Sequence, residues 1–137
     1  MTTASLIIVV DRGSLRAYRV EETPTRGPSL KLVQAFELTD VMNSASMRHT
    51  TPMTDWPQLE AEMERRACKE LATEITKVAE RNQGEGWSLA APESIYWKIV
   101  DLLPPEIRER IVEHVESDLV KLPAAALPPH FRSLQPI

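Results

Sequence analysis

The stretch LIIVVDRGSLRAYRV, from Leu6 to Val20, places the strongest constraint on how this chain folds. It opens with a continuous run of apolar, mostly β-branched residues, which is typical of a strand buried on both faces. The next four residues favour a turn, because Gly13 tolerates a positive φ and the Asp11 side chain can accept hydrogen bonds from its own turn. A second strand-like run follows at once. The stretch therefore predicts a hairpin in which Leu6 to Val10 form a central strand.

A third strand is predicted where LKLVQAFEL runs from Leu30 to Leu38. The preceding EETPTRGPS contains two prolines and a glycine, and we expect it to be a loop. After the third strand, Thr39 to Thr54 lacks periodicity and is rich in Ser, Thr, Asn and Met. We interpret it as a long, mobile loop, and loops of this length are often functional.

The clearest helix signal begins near Asp55. Asp55 and Gln58 resemble a capping box, and Pro57 falls in the first turn, where a missing N–H does no harm. Apolar residues then recur at helical spacing, namely Leu59, Met63, Ala67, Leu71, Ile75 and Val78. Arg81 and the glycine at position 84 are typical of a helix end, so the predicted helix ends there.

The remaining patterns predict a short buried strand in WSLAAP, from Trp87 to Pro92, and a helix in ESIYWKIVDLL that stops at Pro104. The apolar face of this helix consists of Ile95, Ile99, Leu102 and Leu103. The segment from Glu106 to Leu122 is ambiguous, since its periodicity favours a helix while RIVEHVE is β-branched enough for a strand. The final LPAAALPPHF can support only a brief helix.

Composition limits the classes of function. At 137 residues, with 42% hydrophobic and 26% charged residues, the chain has the size and balance of one globular domain, residues 1–137. Its net charge of -4 argues against a protein that mainly coats phosphate backbones. Cys68 is the only cysteine, which excludes an intramolecular disulfide and suits a reducing cytoplasm. The N-terminal apolar run is too short to span a bilayer, so we expect a cytoplasmic protein without membrane association.

Three stretches carry a resemblance to a known family: IVVDRGSLRAYRV, ACKELATEI in the long helix, and HVESDLVKLPAAAL near the end. Together they resemble the host attachment protein family, which has been grouped with bacterial and archaeal proteins similar to archaeo-eukaryotic release factors. The resemblance implies an α/β fold of the ribonuclease H-like type, that of the release factor's middle domain. This is a mixed five-stranded sheet in the order β-β-β-α-β-α-β-α, with two later strands parallel to the first. The resemblance also favours a strand from Arg110 to Glu116, beside the first.

The chain departs from its relatives in two places. Release factors that cleave peptidyl-tRNA carry a Gly-Gly-Gln loop, and this chain has only NQGEG at 82–86, which shares composition alone. Relatives tend to have a Gly-rich, basic stretch after the third strand, whereas this chain has NSASMRHTTPM, with Arg48 and His49 as its only basic pair. Peptidyl-tRNA hydrolysis is therefore not expected.

Asp11 is the first candidate for chemistry. In ribonuclease H-like nucleases, an acidic residue on the first strand joins others on the first helix and the fourth strand to hold two metal ions. The helix offers glutamates for such a site, Glu60, Glu64 and Glu70, and Glu93 follows the fourth strand. The fourth strand itself contains no carboxylate, and Asp11 before Arg12 and Gly13 is what a tight turn requires. We favour the turn.

The other candidates give weaker signals. Cys68 has no base at a spacing that indicates a nucleophile, and buried cysteines are common. His49, His114 and His130 have no histidine or cysteine at metal-ligand spacing, so neither a metal site nor a cofactor is expected. His49, in the long loop beside Arg48, is the histidine best placed to touch a ligand. The three tryptophans, Trp56, Trp87 and Trp97, are interpreted as core or rim packing.

Three hypotheses follow. The first is a non-catalytic, release-factor-like binding module whose partner is RNA, the ribosome or a protein, with Asp11, Arg12, Arg48 and His49 as its tentative binding residues. The second is a metal-dependent nuclease that uses Asp11 and the helix glutamates. The third is a structural or regulatory homo-oligomer that assembles through the Met-rich loop or a sheet edge. A carboxylate cluster with bound metal would favour the second, and a large apolar patch on the sheet edge would favour the third.

Overall fold

A computed structural model describes residues 5–23, 27–38, 56–81 and 86–132 of the chain. Its strands are β1 (Leu6–Val10), β2 (Ser14–Thr23), β3 (Gly27–Glu37), β4 (Trp87–Ala90) and β5 (Ile111–Val115). Its helices are α1 (Trp56–Arg81), α2 (Glu93–Val100) and α3 (Pro105–Arg108), followed by short 3₁₀ helices at Ala124–Ala126 and Pro128–His130. The predicted long helix and the short strand after it are confirmed.

The five strands form one mixed sheet in the order β3-β2-β1-β4-β5. The first three strands pair antiparallel, while β4 lies parallel to β1 and β5 lies parallel to β4. This confirms the predicted mixed five-stranded α/β fold of ribonuclease H-like topology, with β1 at its centre.

The central position of β1 explains its continuous apolar run. Leu6, Ile8 and Val10 belong to the main core, which α1 and α2 form against one face of the sheet. Ile7 and Val9 belong to a second core on the opposite face, which the segment from residue 119 to residue 131 covers. All five side chains are at most 3% exposed. A strand buried on both faces needs apolar residues at every position, as the sequence predicts.

The β2–β3 hairpin is longer than predicted. EETPTRGPS was expected to be a loop, but β2 continues to Thr23 and β3 begins at Gly27, with Glu22 opposite Pro28. The prediction treated proline as a strand breaker. Because β3 is an outer strand of the sheet, however, a proline there need not remove a hydrogen bond of the ladder.

The ambiguous segment after α2 contains a short helix and a strand. Proline at the first position begins α3, and β5 follows at Ile111–Val115, so the prediction of a strand is confirmed against the helical periodicity. Its predicted place beside β1 is wrong, since β5 pairs with β4. The two edges of β1 are already taken by β2 and β4, which leaves the outer edge of β4 for the last strand.

The second helix is shorter than its apolar pattern predicts. It ends at Val100, and the next residues form a tighter turn, in which each hydrogen bond joins residues three apart. Leu102 N donates to the Ile99 oxygen at 3.0 Å and Leu103 N to the Val100 oxygen at 3.1 Å. Leu103 is buried as expected, but Leu102 is 48% exposed. The tighter turn changes the angle between successive side chains, and Leu102 leaves the buried face.

Candidate functional site

The turn between β1 and β2 is held by the Asp11 carboxylate. Its Oδ1 accepts hydrogen bonds from the Gly13 amide at 2.8 Å, the Ser14 amide at 2.7 Å and the Ser14 hydroxyl at 2.9 Å. The Gly13 carbonyl accepts a bond from the amide of Leu38 at 2.9 Å, which attaches the turn to the end of β3. Asp11 is therefore a structural residue of the turn, which confirms that prediction.

Arg12 connects the turn to both long helices. Its guanidinium donates to the Ser94 hydroxyl of α2 at 3.0 Å and lies 3.4 Å from the Glu64 carboxylate of α1. The other Glu64 oxygen lies 2.8 Å from Lys98 Nζ. Glu64 thus sits between two cations, Arg12 of the turn and Lys98 of α2. Exposed pairs of this kind add little stability, so their main effect is to orient Arg12.

Cys68 lies one helical turn beyond Glu64 and is 2% exposed. Burial raises the pKa of its thiol, and the Glu64 carboxylate raises that pKa further, while Lys98 and Arg12 act in the opposite direction. A thiol with a raised pKa is a poor nucleophile at neutral pH. The structure therefore agrees with the prediction that Cys68 is a packing residue.

A cleft of about 810 Å³, here called the turn cleft, opens beside the Asp11–Ser14 turn. It lies at the carboxyl ends of the parallel strands β1 and β4, the edge where open α/β sheets commonly bind ligands. Its lining is Asp11, Arg12, Gly13, Ser14, Glu37, Leu38, Pro92, Ser94, Asp118 and Lys121. Three carboxylates and two cations line it, so the cleft is of mixed charge, with an excess of negative groups.

The nuclease hypothesis gains no support from this geometry. Among the described residues, no group of three or more His, Cys, Asp or Glu side chains could hold a metal ion. Oδ1 of Asp11 is occupied by the turn amides, and Glu64 is paired with Arg12 and Lys98. A two-metal centre needs several carboxylates that share cations about 4 Å apart.

A second group of polar and aromatic side chains joins α2 to β5. The Tyr96 hydroxyl forms a short hydrogen bond with His114 Nδ1, and the Trp97 indole stacks on the His114 ring with 5.2 Å between centroids. The Trp97 Nε1–H donates to Glu116 Oε1 at 2.7 Å. Burial, and then the charge of Glu116, raise the pKa of Tyr96 above its ordinary range, so the hydroxyl remains protonated. Tyr96 is therefore no general base at neutral pH.

Of the predicted binding residues, Asp11 and Arg12 lie together in the turn cleft, whereas Arg48 and His49 lie outside the described residues. His114 lies on an outer strand and is exposed. Trp87 is fully buried and donates to the Ile107 carbonyl at 3.1 Å, and Trp97 lies at the rim, which confirms both interpretations. The side chain of Trp56 lies outside the described residues.

Sequence reasoning missed several residues of the cleft and of the α2–β5 group. Ser94, Asp118 and Lys121 come from separate parts of the chain and had no motif to mark them. The contact between Tyr96 and His114 had no sequence signal either. The spacing of Glu64 and Cys68, four residues apart on one helix, was the one clue that their environments would be linked.

No helix in the described parts of the chain has the length and apolar character needed to cross a membrane.

Comparison with known proteins supports a family assignment. A solved structure of the Aquifex aeolicus Ppx/GppA phosphatase, type II variant, is similar with a TM-score of 0.40 and 13% sequence identity. The similarity covers 84% of this chain and 35% of the phosphatase chain, so this chain spans only about a third of that protein. No curated protein matches the sequence. The family described as "Protein required for attachment to host cells" matches residues 6–131, and because this is nearly the whole chain, the protein belongs to the host attachment family.

Proposed function

We propose that this chain is a non-catalytic, release-factor-like binding module, a single cytoplasmic domain that holds a protein partner in the turn cleft. Asp11 shapes the cleft through the turn, and Arg12 contacts the partner together with Lys121. Arg48 and His49, which follow β3 in the sequence, are proposed to contact the same partner. The family's description, attachment to host cells, agrees with a role in binding.

The observation that carries this proposal is that the three groups considered for chemistry in and beside the cleft, Asp11, Glu64 and Cys68, are bonded or buried. Asp11 accepts three hydrogen bonds from its own turn, and Glu64 is paired with two cations. Burial keeps the pKa of the Cys68 thiol above its ordinary value. General acid–base or nucleophilic catalysis needs a group whose pKa is matched to the reaction, or a nucleophile beside a base. The cleft offers charged groups of both signs and a turn held in place by Asp11, which suits binding.

A protein partner fits the charges better than RNA does. Asp11, Glu37 and Asp118 line the cleft beside only two cations, and the net charge of the chain is -4. Binding of a phosphate backbone is driven by the neutralisation of phosphates with Lys and Arg. A protein surface, by contrast, can offer both signs of charge and hydrogen-bond donors to a cleft of mixed character.

The test is affinity purification from native cells, with and without nuclease treatment. The parent is compared with an Arg12→Ala/Lys121→Ala variant and with a matched control, Arg65→Ala/Lys69→Ala, which removes the same charge from the exposed side of α1. We expect a protein that survives nuclease treatment, binds the parent and the control, and is lost from the cleft variant. An Arg48→Ala/His49→Ala variant should weaken the same capture.

Two outcomes would contradict the proposal. Capture that disappears after nuclease treatment would assign the partner to RNA or the ribosome. Equal capture by the parent and the cleft variant, with unchanged thermal melts, would remove the turn cleft as the binding site. An activity assay on the purified chain tests separately the proposal that the chain is non-catalytic.

A further inference from the structure

The surface around Trp97 has an unusual combination of residues for an exposed helix face. Trp97 is 51% exposed, although Tyr96 beside it in α2 is fully buried. Glu93 precedes Trp97 by four residues and Asp101 follows it by four, so the two acidic residues lie one helical turn on either side of the indole. Glu116, just after β5, accepts the indole N–H at 2.7 Å. We call these four residues the Trp97 surface.

Within the described ranges, no cation forms an ion pair with the three carboxylates of the Trp97 surface. Glu93, Asp101 and Glu116 are all exposed, and none forms an ion pair with a residue that the structure describes. The neighbouring cation of α2, Lys98, lies 2.8 Å from Glu64 of α1 and is paired with that carboxylate. A negative potential therefore surrounds the indole, and the negative face of the ring adds to it.

The indole is held in place before any partner arrives. The His114 ring stacks against it with an interplanar angle of 27°, and the Tyr96 ring meets it edge-on with 5.0 Å between centroids. Its N–H is fixed by Glu116. A side chain that is already ordered loses little rotamer entropy on binding, which is a common property of aromatic anchors at interfaces.

From this arrangement we infer that the Trp97 surface binds an arginine side chain presented by a protein partner. A guanidinium group can lie flat on the indole face opposite His114 and donate to the carboxylates around it. Lysine lacks the planar group, so arginine should be preferred. This surface is separate from the turn cleft, and the inference holds whether or not the cleft binds a partner. Nucleic acid is disfavoured here, because the phosphates would approach three exposed carboxylates.

The test uses three synthetic peptides of equal length, Gly-Arg-Gly-Arg-Gly, Gly-Lys-Gly-Lys-Gly and Gly-Glu-Gly-Glu-Gly. Binding to the purified chain is followed by the NMR shift of the Trp97 indole N–H, assigned with a Trp97→Phe variant. We expect saturable binding of the arginine peptide, binding of the lysine peptide that is weaker by about threefold or more, and none of the glutamate peptide.

Two variants and a control separate the contributions. For the Trp97→Ala variant, binding is measured by the NMR shift of the His114 backbone amide. Its affinity for the arginine peptide should be lower by about fivefold or more. The Glu93→Gln/Asp101→Asn variant preserves the shape of both side chains, and its affinity for the arginine peptide should be lower by about threefold to tenfold. The matched control Glu106→Gln/Glu109→Gln removes two exposed carboxylates from α3 and its end, and should leave the affinity unchanged. Equal affinity for the arginine and lysine peptides, or parent-like binding by either Trp97-surface variant, would overturn the inference.

Discussion

Replacing Asp11 by alanine should destabilise the fold, and the structure gives the size of the effect. Asp11 Oδ1 accepts three hydrogen bonds, from the Gly13 amide, the Ser14 amide and the Ser14 hydroxyl. A typical bond of this kind contributes about 0.5–1.5 kcal/mol of net stability. Because the residue is half-buried, water can replace part of what is lost, and we expect a total loss of about 2 kcal/mol. For a chain of this length, that loss lowers the melting temperature by about 7 °C.

Asp11→Asn is the matched comparison, because its side-chain oxygen can accept the same bonds without the charge. It should cost about 0.5–1 kcal/mol. Urea denaturation followed by circular dichroism measures both losses, provided that the slope of the transition is unchanged. The contribution of one such bond is at least about 0.5 kcal/mol. If the free energy of unfolding of the Asp11→Ala variant is within about 0.5 kcal/mol of the parent's, the structural role of the carboxylate is refuted. If Asn is as damaging as Ala, the charge matters and the bond geometry does not.

Three further predictions concern packing, reactivity and activity. Gly86→Ala should lower stability by about 1–3 kcal/mol in urea denaturation, because the added Cβ would lie 2.7 Å from Val112 Cγ1; no loss would show that Val112 moves aside freely. The Cys68 thiol should react with a thiol reagent at pH 8 far more slowly in the native chain than in urea, because its raised pKa and burial reduce both thiolate and access; equal rates would contradict its burial. The purified chain should not turn over peptidyl-tRNA, RNA–DNA hybrid or single-stranded RNA with Mg²⁺ or Mn²⁺. Metal-dependent cleavage that Asp11→Asn abolishes would restore the nuclease hypothesis.

The features that could be predicted from the sequence are those set by residues close together in the chain. The apolar run of β1 and the Asp-Arg-Gly-Ser turn are local patterns, and the structure places both as expected. The long helix α1 was equally clear from its spacing. The strand β5 could not be recognised by periodicity, because its five residues are too few to distinguish a strand from a helix.

The candidate site was only partly predictable, because it is assembled from distant parts of the chain. Arg12 contacts Ser94 and Glu64 only after α1 and α2 have packed on the same face of the sheet. The stacking of Trp97 on His114 depends on where β5 joins the sheet, which was predicted wrongly. A motif can mark residues that act together along the chain, but neither of these contacts has one.

The second core has a consequence for the order in which the chain folds. One face of β1, with Ile7 and Val9, is covered by Leu127 and Phe131, and most of the chain lies between them. Contacts between residues so far apart in sequence close slowly, since the entropy of the intervening chain must be lost first. During synthesis, the sheet face stays open to water until the segment with Leu127 and Phe131 has emerged. A ribosome stalled before that point would carry an exposed apolar sheet, which is the kind of surface that chaperones bind and that aggregates when they do not.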